Sequence, residues 1–420
     1  MNFLLSAGEA SGDTYGAQLI EALRGLAPSS TFFGMGGEKM RAFGAELLVH
    51  ANEVAVVGLV EVITHLPDIR RRFRHLVAEA ARRKPDAAIL IDFPDFNLRL
   101  ARKLHRLGIP VFYFVSPQIW AWRTGRVQQI KRYVRKMIVI FPFEQEFYAR
   151  HGVEVSYVGH PLAYAEPPQI SREEFAAQHG LDPHKQWIAL LPGSRRKEVR
   201  LNLPMMVEAA RLLQKQSNQF EFLLPVASTL NQDWLRGQLQ IQGLTSQFLR
   251  APRSGDPLWA EGVSPREGRP FVDPRSAGSV GNLPMIHLTD NARATLMHAR
   301  AAVVASGTAT VEAALSGTPF IVVYRLAPLT WLLGRRLVKL DTFAMTNLIA
   351  GKKIVPELIQ KDFTAQNVLR ELNFIIPDGP ARQQMEADLK MVQQRLRDSK
   401  HAESPAQRAA REILEALAKV

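Results

Sequence analysis

One stretch restricts the fold more than any other. Ala301–Ala305 is a short apolar run, Ser306–Thr310 a small polar turn, and Val311–Leu315 a run of helix formers that Gly317 and Pro319 stop. The order predicts a strand, a tight turn and a helix, which is the repeating unit of an α/β sheet. Such a helix start offers backbone N–H groups and the positive end of a dipole, and both suit phosphate. Ser306, Gly307, Thr308 and Thr310 are the candidate phosphate contacts. Glu312 lies one turn in, where it would repel a diphosphate but can accept hydrogen bonds from a sugar diol. One reading is a nucleotide-diphosphate site. The other is an ordinary crossover capped by Ser and Thr.

The same unit recurs along the chain. Asn2–Ala7, Ala87–Ile91, Val111–Val115 and Met137–Phe141 read as buried strands before Pro161, Pro167 and Pro168 interrupt the pattern. Trp187–Leu191, Phe220–Leu224, Met285–Leu288, Ala301–Ala305 and Phe320–Val323 resume it. At 420 residues the chain has room for two such domains. We place them at 1–165 and 166–345, with a helical segment 346–420 packing back on the first. Ser404, Pro405 and Gln407 mark the start of the last helix. Arg250–Leu283 holds five Pro and five Gly with little periodicity and reads as an inserted, mobile loop.

Chemistry-bearing residues cluster where strands end. Gly8-Glu9-Ala10-Ser11-Gly12-Asp13 follows the first strand without the dinucleotide fingerprint, which disfavours a nicotinamide dehydrogenase. Its Ser11 and Asp13 either cap the next helix or meet a ligand. Asp92 and Asp95 follow the strand Ala87–Ile91, at the end where open α/β sheets bind ligands. No acidic residue occurs from Phe96 to Phe143, but Arg99, Arg102, Arg123, Arg126 and six other basic residues do. An aspartate beside that field is ionised and can act as a general base. Alternatively it caps the helix or pairs with Arg99. Trp120 and Trp122 form either a wall for an amphipathic substrate or simple packing. Arg195, after Gly193-Ser194, suits a diphosphate, because guanidinium binds phosphate oxygens bidentately. His160 alone reads as structural.

The net charge is +13 and the pI about 10, so partners are acidic: nucleic acid, anionic lipid or a phosphorylated substrate. Cysteine is absent, which excludes a disulfide framework and thiol chemistry. The N-terminus lacks the features of a signal peptide, and no apolar run approaches the ~20 residues that span a bilayer. Val54–Leu66 carries Val56, Val57, Leu59, Val60 and Ile63 around most of a helix, and Arg70, Arg71, Arg72 and Arg74 follow. Such a segment is either buried or lies in a membrane interface.

The ordered set is more specific than its parts. It comprises Gly8–Asp13, Asp92-Phe93-Pro94-Asp95-Phe96-Asn97, Ser116–Trp122, Pro192-Gly193-Ser194-Arg195, Ser306–Glu312 and Asn347-Leu348-Ile349-Ala350-Gly351. In order and spacing it resembles the lipid-A-disaccharide synthase family over nearly the whole chain, apart from the insert and the extreme C-terminus. The insert departs from the family's compact pattern.

The resemblance implies a GT-B glycosyltransferase, α/β, with two Rossmann-like doubly wound domains facing across a cleft. It implies inverting transfer from UDP-2,3-diacylglucosamine to the 6-hydroxyl of 2,3-diacylglucosamine 1-phosphate, giving the β-1,6-linked disaccharide phosphate and UDP. It further implies no cofactor and no metal, since the UDP-sugar is a substrate. The expected setting is peripheral, on the cytoplasmic side of a Gram-negative inner membrane with an anionic surface, and a homodimer is allowed. Asp95 matches the family's base, with Asp92 in reserve. Arg195, Gly193, Ser194 and the Ser306–Thr310 turn take the diphosphate, and Glu312 the ribose. Glu9, Ser11, Asp13, Trp120, Trp122 and Asn347 line the acceptor side. The rival of the same fold is a sugar-nucleotide epimerase or hydrolase. A nucleic-acid-binding protein, the rival suggested by charge, lacks a recognised binding signature.

Overall fold

The computed structural model describes residues 1–54, 59–122, 124–244, 249–250, 283–326, 342–397 and 403–419, without the side chains of 59–65, 121–122, 124 and 249–250. The chain divides into two compact units at Ala165/Glu166, and Gln394–Val420 returns to the first.

The first unit is built on seven strands: β1 (Asn2–Ala7), β2 (Thr31–Gly36), β3 (Glu46–His50), β4 (Ala87–Ile91), β5 (Val111–Phe114), β6 (Lys136–Val139) and β7 (Val155–Tyr157). All pair in parallel, in the order β3-β2-β1-β4-β5-β6-β7. A parallel sheet carries helices on both faces, so its central strands must be apolar throughout. Ala87–Ile91 is buried at every position, and β1 from Phe3 onward likewise. The second unit has β8 (Gln186–Leu191), β9 (Phe220–Pro225), β10 (Leu249–Arg250), β11 (Ile286–Thr289), β12 (Ala301–Ala305), β13 (Phe320–Tyr324) and β14 (Glu357–Ile359). They too are parallel, in the order β10-β11-β9-β8-β12-β13-β14.

The strand order reverses between β1 and β4 in one sheet and between β8 and β12 in the other. Ligands of doubly wound sheets bind outside the carboxyl ends of the strands at such switch points. The four turns there are Gly8–Asp13, Asp92–Asn97, Pro192–Arg195 and Ser306–Thr310. Topology therefore groups four of the stretches that carry the sequence resemblance, two per sheet.

The packing of the C-terminal segment departs from expectation. The segment 346–420 does not pack as a piece on the first domain. The helix Ala365–Ile375 buries Val368, Leu372 and Ile375 and packs on the helix Arg196–Gln216 of the second unit. Only the end returns. The helix Pro405–Ala418, capped by Ser404 as expected, packs on the helix Ala10–Leu26. It is tied down by Lys136–Glu412 at 2.6 Å and by Arg408 Nη2 donating to the Tyr157 carbonyl at 2.9 Å.

From Leu59 onward the apolar segment and the arginines after it form one helix, Leu59–Arg83, which runs through Pro67. Its second half packs Leu76 and Ala80 into the core, with Ile69, Phe73 and Val77 beside them. Arg72 pairs with Glu53 at 2.6 Å and Arg71 with Asp68 at 2.9 Å, which ties part of the proposed membrane-facing charge to the protein itself. Val56, Val57, the side chains of Leu59, Val60 and Ile63, and 251–282 of the expected loop lie outside the described residues. Among the described residues no helix is long and apolar enough to cross a membrane.

Candidate active site

At the first switch point the ends of β1 and β4 press together. A side chain at Gly8 would meet the Phe93 ring at 2.3 Å, so only glycine fits. Asp92 and Phe93 both adopt left-handed backbone, with φ of 44° and 51°. Each such position costs roughly 1–3 kcal/mol and persists only when its surroundings fix it. Here Asn97, wholly buried, does so. Its Nδ2 donates to the carbonyls of Ser6 (3.1 Å), Ile91 (3.2 Å) and Asp92 (2.8 Å), while its Oδ1 accepts from Ser6 Oγ at 2.7 Å. Tyr113 Oη donates to the same Asp92 carbonyl at 2.6 Å. The strained turn delivers Pro94 and Asp95 to the first turn of the helix Pro94–Arg106. The Asp95 side chain is 70% exposed and accepts from Arg126 Nη2, not from Arg99. Asp92 is half-buried.

Asp13 belongs to the scaffold, a correction to the acceptor-side assignment. It is buried and accepts from the backbone N–H groups of Gly37 (2.7 Å), Lys39 (3.1 Å) and Met40 (3.1 Å). It thus caps the helix Glu38–Ala42 from outside. Glu9 and Ser11 are exposed at the end of β1.

Trp120 is half-buried and anchored: its Nε1 donates to Glu144 Oε1 at 3.1 Å, and its ring meets Phe143 edge-on at 4.9 Å. This favours the packing reading for Trp120; the Trp122 side chain lies outside the described residues. Glu144 itself escaped the sequence reading. Its carboxyl is 1% exposed, and burial pushes its pKa up to about 8 against hydrogen bonds from Trp120, the Phe141 N–H and Ser116. The available signal was a glutamate two residues behind a helix-starting proline. His160 is buried against Phe141, accepts from the Leu162 N–H at 3.2 Å, and burial drives its pKa down to about 3, a structural neutral imidazole.

Glu144 predicts a pH effect. A raised carboxyl pKa favours the neutral folded form, so its contribution is complete below about pH 4.5 and lost as pH rises through about 8. Glu144→Gln removes this loss. Relative to the parent, the variant should gain roughly 1–4 kcal/mol of stability between pH 5 and pH 9 in denaturant melts. A stability difference that does not vary with pH would refute the buried-acid assignment.

The second switch point follows the same plan. β8 and β12 are paired, Leu191 opposite Val304, so the turns after them share one sheet end. A buried asparagine again secures the turn: Asn202 Nδ2 donates to the Pro192 carbonyl at 3.0 Å. Gly193 has φ 121°, and a side chain there would strike Glu198 Oε2 at 2.5 Å. Glu198 accepts from the N–H groups of Ser194 (3.1 Å) and Arg195 (3.2 Å). These two amides are therefore already occupied, a correction to Ser194 as a phosphate contact through its backbone. The Arg195 guanidinium stays 63% exposed, with Glu198 at 3.8 Å. Tyr324, at the end of β13, feels both charges and was not foreseen.

Of the three hydroxyls in the Ser306–Thr310 turn, two are engaged. Ser306 Oγ donates to the Phe343 carbonyl at 3.1 Å, and the buried Thr310 Oγ1 to the Gly307 carbonyl at 2.8 Å. Thr310 is thus removed from the phosphate contacts. Thr308 is exposed, and its hydroxyl has no partner among the described residues. Glu312 is half-buried and burial raises its pKa, opposed by Arg293. Asn347 is a further correction. It is fully buried, donating to the Val355 carbonyl (3.0 Å) and Glu357 Oε1 (2.8 Å) and accepting from the N–H groups of Ile354 (2.8 Å) and Val355 (3.0 Å). Every polar position is spent on closing its own loop.

Comparison with known proteins decides the family. Residues 3–251 and 277–413 match the profile of the family described as Lipid-A-disaccharide synthetase. The chain belongs to the lipid-A-disaccharide synthase family. The unmatched 252–276 fall within the Pro- and Gly-rich insert. A relative named lipid-A-disaccharide synthase, from Koribacter versatilis, is 50% identical over 415 residues, 99% of this chain and 98% of its own. The family makes the chain a glycosyltransferase of lipid A biosynthesis.

Solved structures agree on the fold. The glycosyltransferase of kitacinnamycin matches with a TM-score of 0.60 at 14% identity, covering 99% of this chain and 98% of that one. A UDP-GlcNAc 2-epimerase from Neisseria meningitidis, bound to UDP-GlcNAc, matches with 0.57 at 13% identity over 100% of both chains. The GT-B fold alone thus leaves transferase and epimerase equal; the family match separates them.

Proposed function

We propose that the chain transfers diacylglucosamine from its UDP derivative to the 6-hydroxyl of diacylglucosamine 1-phosphate with inversion. The observation that carries this is the make-up of the second switch point: the exposed Arg195 guanidinium and the Thr308 turn at one sheet end, with the half-buried Glu312 one turn in. Cation and N–H groups suit a diphosphate, and a partly dehydrated carboxyl suits a diol. At the first switch point Asp95 takes the acceptor's proton as its oxygen attacks the anomeric carbon. The bond from that carbon to the diphosphate breaks from the opposite face, and Arg195 and the Thr308 turn receive the charge. We assign no metal or cofactor to this reaction.

Supplying both acylated sugars and recording products by mass spectrometry tests the proposal. UDP and a disaccharide monophosphate are expected; UDP with free sugar, or an epimerised UDP-sugar, would overturn it. For the membrane, we propose that the apolar start of the Leu59–Arg83 segment and the residues before it rest on an anionic surface. Val57→Ser/Val60→Ser/Ile63→Ser should lower recovery on anionic vesicles at least several-fold. Unchanged flotation would sink the idea.

A further inference from the structure

Beside Asp95 lies a hollow of about 350 Å³. Arg99, Arg102 and Arg126 line it, together with Asp95, Gln129 and Tyr133. Arg99 and Arg102 stand three residues apart on the helix Pro94–Arg106, so their side chains share a face. Arg126 stands immediately before the helix Val127–Tyr133. Three guanidinium groups against one carboxylate leave the lining of the hollow with two uncompensated positive charges. Among the described residues Arg99 and Arg102 have no acidic partner, and the sequence supplies no acid from Phe96 to Phe143.

Like charges gathered in a concave place repel unless an anion joins them. The match in charge is a phosphomonoester, which carries about −1.5 to −2 near neutrality. Arginine also presents paired donors to phosphate oxygens. Gln129 and Tyr133 add neutral hydrogen-bonding groups at the wall.

We propose that this hollow seats the phosphate of the acceptor sugar, and that the arriving phosphate draws Arg126 away from Asp95. The proposal rests on the transfer reaction given above and adds a binding site and an order of events to it. A phosphate held there carries the rest of its sugar ring along the helix start, toward Asp95. Arg126 now occupies an oxygen of the carboxylate that must accept the proton. A guanidinium so placed weakens a carboxylate as a base. A dianion competes for Arg126 more strongly than a single exposed carboxylate does, so the base is released when the acceptor is in place. Without acceptor, Asp95 is held by Arg126 and is a poorer base for water attack on the donor.

Glucosamine 1-phosphate and unphosphorylated glucosamine, titrated by calorimetry into the full chain and into Arg99→Ala/Arg102→Ala, provide the test. The phosphorylated sugar should bind the parent and bind the double variant at least 10-fold more weakly, with glucosamine weak for both. In turnover with the acylated sugars, the variant should raise the acceptor KM by a similar factor and leave the donor KM unchanged. The carboxyl carbon resonance of Asp95 should move as glucosamine 1-phosphate is added. Equal affinity of parent and variant, or no binding to the parent, overturns the site; a still resonance overturns the release of Asp95. If the parent forms no disaccharide, the transfer reading falls, while the calorimetric comparison still decides the hollow.

Discussion

Asp95→Asn should reduce turnover by roughly 10²–10⁴-fold while the protein remains folded. The size follows from the role: an amide has no lone pair basic enough to accept the acceptor's proton, and the attacking oxygen must then shed it to water. The folded state hardly depends on the charge. Asp95 is 70% exposed, and exposed ion pairs such as Asp95–Arg126 contribute about 0–1 kcal/mol. The turn is held instead by Asn97 and Tyr113 acting on main-chain carbonyls, which the substitution does not touch. Asp92→Asn is the companion experiment, because asparagine tolerates the left-handed backbone at φ 44°. A large loss with Asp92→Asn and near-normal turnover with Asp95→Asn would transfer the base role to Asp92. Turnover should be read alongside a thermal melt, so that a folding defect is not taken for lost chemistry.

The local units of this fold are plain in the sequence because they are local. Ala301–Ala305 is a strand and Gly317 ends the following helix, because β-branched runs and αL glycines act through their own backbone. Asn2–Ala7 and Ala87–Ile91 are likewise strands with the expected ends. The strand order is not local, and nothing within Gly8–Asp13 announces that it lies beside Asp92–Asn97. The same limit explains the misplaced site residues. Asp13 and Asn347 stand in motifs that look like ligand turns, yet each faces inward and is consumed by backbone N–H and carbonyl groups. A polar side chain's direction depends on what packs around it, and a linear pattern does not carry that. Glu144 fails in the opposite sense, since only burial makes it unusual. The Leu59–Arg83 helix runs through Pro67 because its later turns are anchored by Phe73, Leu76 and Ala80.

Arg195→Ala should weaken UDP binding about 10-fold or more and lower kcat/KM by roughly 10²–10³-fold. The two numbers differ because the guanidinium is worth more when the leaving diphosphate has gained charge than when it is still esterified. Other groups in the turn do not replace it. The N–H groups of Ser194 and Arg195 are held by Glu198, and of the three hydroxyls in the Ser306–Thr310 turn only that of Thr308 lacks a partner among the described residues. The fold should tolerate the change, since the side chain is 63% exposed and its ion pair to Glu198 spans 3.8 Å. The cap on the helix Arg196–Gln216 uses the backbone of residue 195, which alanine retains. Arg195→Lys should recover only part of the loss, because a single ammonium does not reproduce a two-pronged contact. Thr308→Val should cost less than Arg195→Ala, as a neutral hydroxyl contributes about 1 kcal/mol against a charged donor's 1.5–3. Calorimetry with UDP on the three variants ranks them directly. Unchanged affinity for Arg195→Ala would remove the guanidinium from the diphosphate and shift that role to the Thr308 turn.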